Sequence, residues 1–347
     1  MLKGARNMRL NIIGNGFDLY HGLPSSYYYF GCFLLEYNQD FYEEMADMFG
    51  FRKGTYSGYP FEEITYGVED IFWRDFEANL GKISSFWVQE KLQDDLGLEN
   101  DDPIEIEMYQ YENAGLIKSM LTRWIKEVVD KPENYRILGR KLNEYNKMLK
   151  LKKKDYFVTF NYTHILEDVY MIPNKNILHI HGENTGSDYD ELIIGHGNDE
   201  YIEELYEVIE RYERRGREQA SVNRMSEYKC ELYTLQELRK DVKRCLSRCE
   251  NFFRNFEEEP TEICIYGLSL GDVDIPYLIY IREHWPNAKW KFSFYSEKDK
   301  ENIKNVAEEI LKLSAIQCKT FELKNEMDDY IRDCVINEQR IVEYDKI

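Results

Sequence analysis

The chain is poor in positive charge and has no long apolar run. Its 45 Lys and Arg residues stand against 65 Asp and Glu residues, so the formal net charge is -20. General affinity for DNA or RNA comes mostly from Lys and Arg that neutralise phosphates, and the charge argues against it. No apolar run approaches the roughly 20 residues of a membrane helix. The start, MLKGARNMRLNIIG, also lacks the apolar block of a signal peptide. We therefore expect neither general nucleic-acid binding nor membrane binding.

Paired cysteines are absent as well. The seven cysteines are scattered, and no two of them form a C-x-x-C pair. This pattern indicates neither a disulfide framework nor a zinc ribbon. A reducing cytoplasm is the expected location. What the chain does have is 43% apolar and 15% aromatic residues, which is typical of a folded globular protein.

Short apolar segments alternate with segments of helical periodicity. The predicted strands are residues 10–13, 156–163, 176–182, 192–198, 262–272, 289–296 and 320–323. Strands that are nearly all apolar and separated by helices indicate a parallel sheet covered on both faces. The predicted fold is therefore α/β and Rossmann-like, with large helical insertions. Residues 1–40, 151–200 and 259–347 form the predicted nucleotide-binding core, and residues 41–150 and 201–258 form the helical insertions.

Unusual polar or glycine-rich motifs stand at or near the carboxyl ends of five of the predicted strands. They are residues 14–16 (GNG), 161–163 (NYT), 181–182 (HG), 196–198 (HGN) and 267–269 (GLS). In open α/β sheets, ligands bind beyond the carboxyl ends of the strands. The five motifs are therefore expected to lie along one edge that binds a ligand.

Each motif taken alone also has a purely structural interpretation. The G-x-G can be a tight turn in which Asp18 caps the next helix. Asn161 can satisfy its own backbone in a turn. Ser269 or Asp272 can cap the helix that follows the fifth motif.

The histidines give a weaker signal. His179 and His181 alternate along one predicted strand, but we find no carboxylate or cysteine at a matching spacing, so no metal site is expected. His181, last on its strand and followed by glycine, is the better candidate for chemistry. His179 is interpreted as a packed neighbour, and His196 fits either role.

Taken together and in order, the motifs resemble the AbiH family of bacterial phage abortive-infection proteins. The stretches that carry this resemblance are GNGFDLYHGLPSSYYYF, WRDFE, TFNYTHILEDVY, HIHG, IIGHGN and IYGLSLGDVD. The family is in turn similar to the sirtuin fold, with its Gly-rich turn, Gly-Ile-Pro segment, Asn at a strand end, His-Gly pair and Gly-Thr-Ser-Leu turn. The four-cysteine zinc module of deacylating sirtuins has no counterpart here, which argues against acyl-lysine removal.

The resemblance implies NAD as the substrate of a bacterial cytoplasmic protein. The residues that it assigns to NAD binding are Gly14, Asn15, Gly16, Phe17, Pro24, Thr163, Gly267, Ser269, Leu270, Tyr295 and Ser296. Cleavage of the nicotinamide–ribose bond builds positive charge on the sugar, as in glycoside cleavage. His181 is the expected base, Asn161 holds water or the ribose, and Asp18 lies near the ribose hydroxyls or the developing cation.

Three functions follow as hypotheses. The first is hydrolysis of NAD that is triggered by infection, with a phage-derived trigger protein and a homo-oligomer as expected partners. The second is a sensor that binds a nucleotide without cleaving it. The third is a metal-dependent nuclease that uses Asp18, Asp272 and Asp274, and it ranks last because the acidic chain offers no nucleic-acid surface.

Overall fold

The computed structural model describes residues 8–51, 55–56, 64–65, 71–84, 87–88, 103–185, 187, 192–215 and 219–344. The chain divides into two compact units. The sheet unit comprises Met1–Ser25, Ile125–Leu192 and Asp241–Ile347, and the helical unit comprises Ser26–Trp124 and Ile193–Lys240. Residues 125–150 and 241–258, predicted as insertions, thus belong to the sheet unit, whereas residues 26–40 and 193–200, predicted as core, belong to the helical unit. Parts of the predicted insertion 41–150, among them 89–102, lie outside the described residues.

Six parallel strands form the centre of the sheet unit. They are β1 Arg9–Ile13, β2 Tyr156–Thr159, β3 Ile177–His179, β4 Glu262–Tyr266, β5 Lys289–Phe294 and β6 Cys318–Glu322. Their order across the sheet is β3-β2-β1-β4-β5-β6, and every pair is parallel. This is the strand order of Rossmann-type sheets, in which the winding direction reverses between the first and fourth strands. The predicted α/β Rossmann-like fold is confirmed.

The register brings the ends of the central strands level with one another. Ile13, the last residue of β1, pairs with Thr159 on one side and with Tyr266 on the other. Leu10, Ile12 and Ile13 are fully buried, as expected for a central parallel strand. The turns that follow β1, β2 and β4 therefore start at the same edge of the sheet.

Helices surround this sheet. Those of the sheet unit are Asn15–His21, Pro132–Glu144, Ile165–Asp168, Val242–Phe253, Ile275–His284, Glu297–Asn305 and Asp328–Tyr344, with π-helical turns at Ile125–Val129 and Val306–Ile310 and a 3-10 turn at Asn174–Asn176. The core includes Ile13 and Phe17 near β1, Leu138 of the second helix, and Ile331 and Val335 of the last. The C-terminal helix Asp328–Tyr344 is thus held to the core by Ile331 and Val335.

The helical unit is described separately. Its helices are Tyr27–Tyr37, Gln39–Phe49, Ile71–Arg74, Phe76–Asn79, Pro103–Trp124, Asp199–Arg215 and Gln219–Glu237, and Thr55–Tyr56 pairs antiparallel with Ile64–Thr65. Trp73 and Phe76 are buried, and their rings stack at 5.5 Å. These two residues of the WRDFE segment thus belong to the core of the helical unit. No helix among the described residues is both long and apolar enough to cross a membrane.

The predicted strand at residues 192–198 is wrong. This segment has no strand structure beyond an isolated bridge between His196 and Arg239. Ile194 is buried, and His196 Nε2 donates a 2.8 Å hydrogen bond to Leu235 O within the helical unit. A buried irregular segment contains the same kinds of apolar residue as a buried strand, so the local sequence pattern cannot distinguish the two structures. The HGN motif therefore does not follow a strand of the main sheet.

The glycine turns after β1 and β4 pack backbone against backbone. A Cβ atom added at Gly14 would lie 2.6 Å from Leu268 Cα, and one at Gly16 would lie 2.8 Å from Gly267 Cα. Gly267 has a φ of +63°, and a Cβ atom there would lie 2.2 Å from Phe17 N. The amide N–H groups of Gly14 and Gly16 donate to Tyr266 O (2.9 Å) and Gly267 O (2.8 Å). Glycine is required here because the two turns touch.

We expect Gly267→Ala to lower the free energy of unfolding by at least about 2 kcal/mol, because it adds left-handed strain to a clash with backbone that has no room to move. Gly139→Ala is the control, since nothing lies within 4 Å of the Cβ atom that it would add. In the helix Pro132–Glu144, that change should stabilise by about 0.5–1 kcal/mol. Urea unfolding followed by circular dichroism measures both, and equal effects would contradict the steric argument.

Candidate functional site

The residues Asp18, Asn161 and Thr163 meet at the carboxyl edge of the sheet. Asp18 Oδ1 accepts a hydrogen bond from Asn161 Nδ2 (2.8 Å), and Asp18 Oδ2 accepts one from Thr163 Oγ1 (2.8 Å). Asn161 Nδ2 also donates to Gly14 O at 3.0 Å. Asp18 lies inside the helix Asn15–His21, which begins after Gly14 without a side-chain cap, so the predicted capping role is wrong. These contacts tie the turn after β1 to the loop after β2.

The Asp18 carboxyl group is deeply buried, with 1% of its surface exposed. Burial raises its pKa to about 7, although the hydrogen bonds from Thr163 and Asn161 oppose this rise. The negative charge of Asp130 adds to the rise and His179 opposes it. A carboxyl group with such a pKa can hold or release a proton near neutral pH.

The other residues predicted to bind NAD near β1 serve the packing of the turn. Asn15 Nδ2 donates to Ser25 O (3.0 Å), and Ser25 Oγ donates to Asn15 Oδ1 (2.7 Å). Phe17 belongs to the core, with its ring centroid 4.4 Å from that of His21. Pro24 is buried in the loop between two helices. With the Gly14 and Gly16 amides already bonded, the donors of this turn are directed into the protein.

His181 lies two residues beyond the end of β3, in a turn. It was predicted to be the last residue of that strand, which is wrong because β3 ends at His179. The imidazole is 2% exposed, its Nε2 is 3.4 Å from Tyr277 Oη, and its ring meets Phe160 edge to face at 5.1 Å. Arg248 holds this turn by donating to His179 O (2.8 Å) and Ile180 O (3.0 Å).

The loop after β4 carries Ser269 and Leu270. Ser269 Oγ donates to Asp274 Oδ2 at 3.0 Å, and the helix Ile275–His284 begins without a side-chain cap hydrogen bond, so capping by Ser269 or Asp272 is wrong. Leu270 is buried and adopts a φ of +57°. Asp274 is thus engaged with Ser269, and Asp18 is engaged with Asn161 and Thr163, whereas the metal hypothesis combined these two carboxyl groups with Asp272.

Tyr295 and Ser296 follow β5, two strands away from β1 and on the opposite side from Asn161. At the usual strand spacing this is about 10 Å from β1. The Tyr295 side chain is 60% exposed. Ser296 caps the helix Glu297–Asn305 in a reciprocal arrangement with Asp299. The structure therefore keeps these two residues apart from the Asp18 cluster.

A polar cluster centred on Asp130, which was not predicted from the sequence, lies beside Asp18. Asp130 Oδ1 accepts from His164 N (2.9 Å) and from the Tyr135 hydroxyl, and Oδ2 meets His164 Nδ1 (2.8 Å) and Asn184 Nδ2 (2.8 Å). Burial would raise the pKa of Asp130, but the hydrogen bonds and charge of His164 and the Tyr135 hydroxyl lower it overall. Nothing in the sequence pattern marked Asp130, whereas His164 directly follows the NYT motif.

His164 and His179 both face the carboxylate of Glu183. Burial lowers the pKa of His164, but the hydrogen bond and charge of Asp130, with Glu167 and Glu183, raise it to about 9. His179 Nε2 lies 2.9 Å from Glu167 Oε1. One ligand atom each from His164, His179 and Glu183 lie within 4.8 Å of one another, so this group could hold a metal ion. The sequence analysis expected none because it found no carboxylate partner for His179.

The buried carboxyl group predicts a specific pH dependence. Because burial raises the pKa of Asp18 from its ordinary value of 3.8 to about 7, the folded chain holds this proton more tightly than the unfolded chain does. The stability that it contributes is complete below the unfolded pKa and is lost as the pH rises through the folded pKa. Between about pH 6 and pH 8 the loss from this group is about 1 kcal/mol.

We expect Asp18→Asn to remove this loss, because its amide can accept from Asn161 and donate to Thr163 at either pH. Urea unfolding at the two pH values measures the difference. Asp272→Asn, at an exposed position of the same unit, is the matched control. An Asp18→Asn variant that loses as much stability as the wild type would contradict the buried, protonated carboxyl group.

Comparison with known proteins yields one match. No curated protein and no solved structure matches the chain, so the similarity to sirtuins gains no support and stays a prediction. The family model described as "Bacteriophage abortive infection AbiH" matches residues 10–294, from β1 to the end of β5. Because this match covers most of the chain and includes the turns described above, the chain belongs to the AbiH family of bacteriophage abortive-infection proteins.

Proposed function

We propose that this AbiH-family protein acts in abortive infection by binding NAD at the carboxyl edge of its sheet and hydrolysing the nicotinamide–ribose bond. The observation that carries the proposal is the reversal of strand order between β1 and β4. Ligands of open α/β sheets bind at such a switch point, beyond the carboxyl ends of the strands. Here the turns after these strands start level, and Asp18 and Asn161 lie beside them.

In this proposal His181 is the base. A water oxygen forms a bond to the ribose C1′, the bond from C1′ to the nicotinamide nitrogen breaks, and nicotinamide leaves as a neutral molecule. The water proton passes to His181, and the products are nicotinamide and ADP-ribose. Imidazole is a common general base, and the ring of His181 lies buried beside the Tyr277 hydroxyl group.

Asp18, Asn161 and Thr163 take a positioning role in this proposal. Both oxygens of Asp18 accept hydrogen bonds, and the Asn161 amide nitrogen donates to Gly14 and Asp18. The network holds the turn after β1 against the loop after β2, and this would fix the backbone on which the ribose lies. Precise placement of a substrate supports a large part of enzymatic rate enhancement.

The G-x-G motif suggests that its backbone amides bind the phosphates of NAD, but these amides are already engaged. The Gly14 and Gly16 amides donate to Tyr266 O and Gly267 O, and the two turns touch through their backbones. NAD must therefore either find other donors for its phosphates or separate these turns on binding. We propose that a phage-derived trigger protein separates the two turns. The same proposal includes a homo-oligomer and a location in the bacterial cytoplasm, where NAD is available.

Nucleotide binding without cleavage is the second candidate. It is favoured by the same hydrogen bonds, because the predicted catalytic groups Asp18 and Asn161 are engaged with each other. A sensor needs only the shape of the edge, whereas a hydrolase needs His181 to reach the reacting water.

The test is release of nicotinamide from NAD, measured with the purified full chain and in extracts of phage-infected cells that express it. We expect His181→Gln to lower the rate by at least about 100-fold, because the base is lost. His284→Gln, which changes an exposed histidine in the same unit, should leave the rate unchanged. Asp18→Asn keeps the hydrogen bonds to Asn161 and Thr163, so it should leave both KM and kcat close to the wild-type values if Asp18 acts by positioning.

Circular dichroism establishes that each variant is folded before rates are compared. Release that survives His181→Gln would remove the assigned base. Binding of NAD by calorimetry without release, in both the purified protein and the infected extracts, would replace the hydrolase with the sensor. Absence of both binding and release would reject NAD as the ligand.

A further inference from the structure

The cluster formed by His164, His179 and Glu183 has the geometry of a metal site. His164 Nε2 lies 3.3 Å from Glu183 Oε2, and His179 Nε2 lies 3.7 Å from the same oxygen. The candidate ligand atoms of all three residues are within 4.8 Å of one another. In a site with metal–ligand bonds of 2.0–2.2 Å, neighbouring ligand atoms are about 3.3 Å apart. Only a small closure would bring the three onto one ion.

The other nitrogen of each imidazole ring faces an acceptor. His164 Nδ1 lies 2.8 Å from Asp130 Oδ2, and His179 Nδ1 lies 3.3 Å from the carbonyl oxygen of Asn161. A ring that donates Nδ1–H to a carboxylate or a backbone carbonyl keeps Nε2 for the metal, which displaces the proton from that nitrogen, and most metal-bound histidines are oriented in this way. Both rings of the cluster share this arrangement, although they come from different elements.

Glu167 places a second carboxylate beside this cluster, and one of its oxygens is buried without a hydrogen-bond partner among the described residues. Its Oε1 lies 2.9 Å from His179 Nε2, and its side chain is 12% exposed. Its other oxygen, Oε2, is buried and has no hydrogen-bond partner among the described residues. A buried carboxylate oxygen without a partner is costly, and such atoms in native structures call for an explanation such as an ion.

The exposure of the cluster and the chemistry of its ligand atoms indicate which class of ion it can bind. The Glu183 side chain is 45% exposed, so an ion can reach the cluster from solvent. Two imidazole nitrogens select Zn²⁺ and similar transition metals over Mg²⁺ and Ca²⁺, which prefer oxygen ligands. Three protein ligands also leave a coordination position for water, as in catalytic zinc sites.

We propose that His164 Nε2, His179 Nε2 and the Glu183 carboxylate bind one divalent transition-metal ion of the Zn²⁺ class, with Glu167 beside it as a second carboxylate. The site is separate from the Asp18, Asp272 and Asp274 set that sequence reasoning considered for a metal. It does not rest on NAD cleavage, and a failure of either proposal leaves the other standing.

The test uses the full chain after treatment with a chelator, titrated with Zn²⁺ in a calorimeter. We expect one Zn²⁺ per chain and a rise in the thermal unfolding temperature when it binds. His179→Gln and Glu183→Gln should each weaken binding at least about tenfold. His284→Gln and Glu283→Gln change exposed residues of the same unit and should bind like the wild type. Glu183→Gln is the variant least able to disturb folding, because its side chain is half exposed.

Co²⁺ distinguishes this site from the seven cysteines of the chain. Nitrogen and oxygen ligands should give visible Co²⁺ bands without the near-ultraviolet charge-transfer band of a thiolate. The proposal is overturned if the wild type takes up no Zn²⁺, if the cluster variants bind as tightly as the controls, or if the Co²⁺ spectrum shows thiolate ligation.

Discussion

The candidate site depends on one buried interaction, the hydrogen bonds that Asp18 receives from Asn161 and Thr163. Asn161 connects this carboxyl group to Gly14 O through its amide and to His179 Nδ1 through its carbonyl oxygen. One short network thus links the carboxyl ends of β1, β2 and β3. Hydrogen bonds are strong where water is excluded, so the three turns are held as a unit.

Two buried carboxyl groups in this region are stabilised in opposite ways. Asp18 meets neutral donors, and burial raises its pKa, whereas Asp130 meets His164, and the pKa of Asp130 falls despite burial. The charge of Asp130 in turn contributes to the raised pKa of Asp18. Neighbouring titratable groups whose pKa values diverge are typical of sites that move protons or bind charged ligands. The Asp18 and Asp130 clusters, although neighbours, thus differ in their electrostatic character.

The sequence predicted most of the strands and four of the turns at the edge, because buried parallel strands and glycine-rich turns leave local signals. It failed at residues 192–198, where apolar residues are buried without forming a strand. It also could not connect Asp130 to His164, since they come from segments that are 34 residues apart and meet only through the tertiary fold. Which side chains share a site depends on strand order and register, and neither is written in the local pattern.

The touching glycine turns have a consequence for how this chain can vary. A side chain at Gly14 or Gly16 would strike the loop after β4, and one at Gly267 would strike the helix after β1. Neither turn can therefore acquire a larger residue while its partner stays as it is. The two segments, about 250 residues apart in the sequence, therefore constrain each other's substitutions at the centre of the sheet. Only a paired change of both backbones would open the space between them.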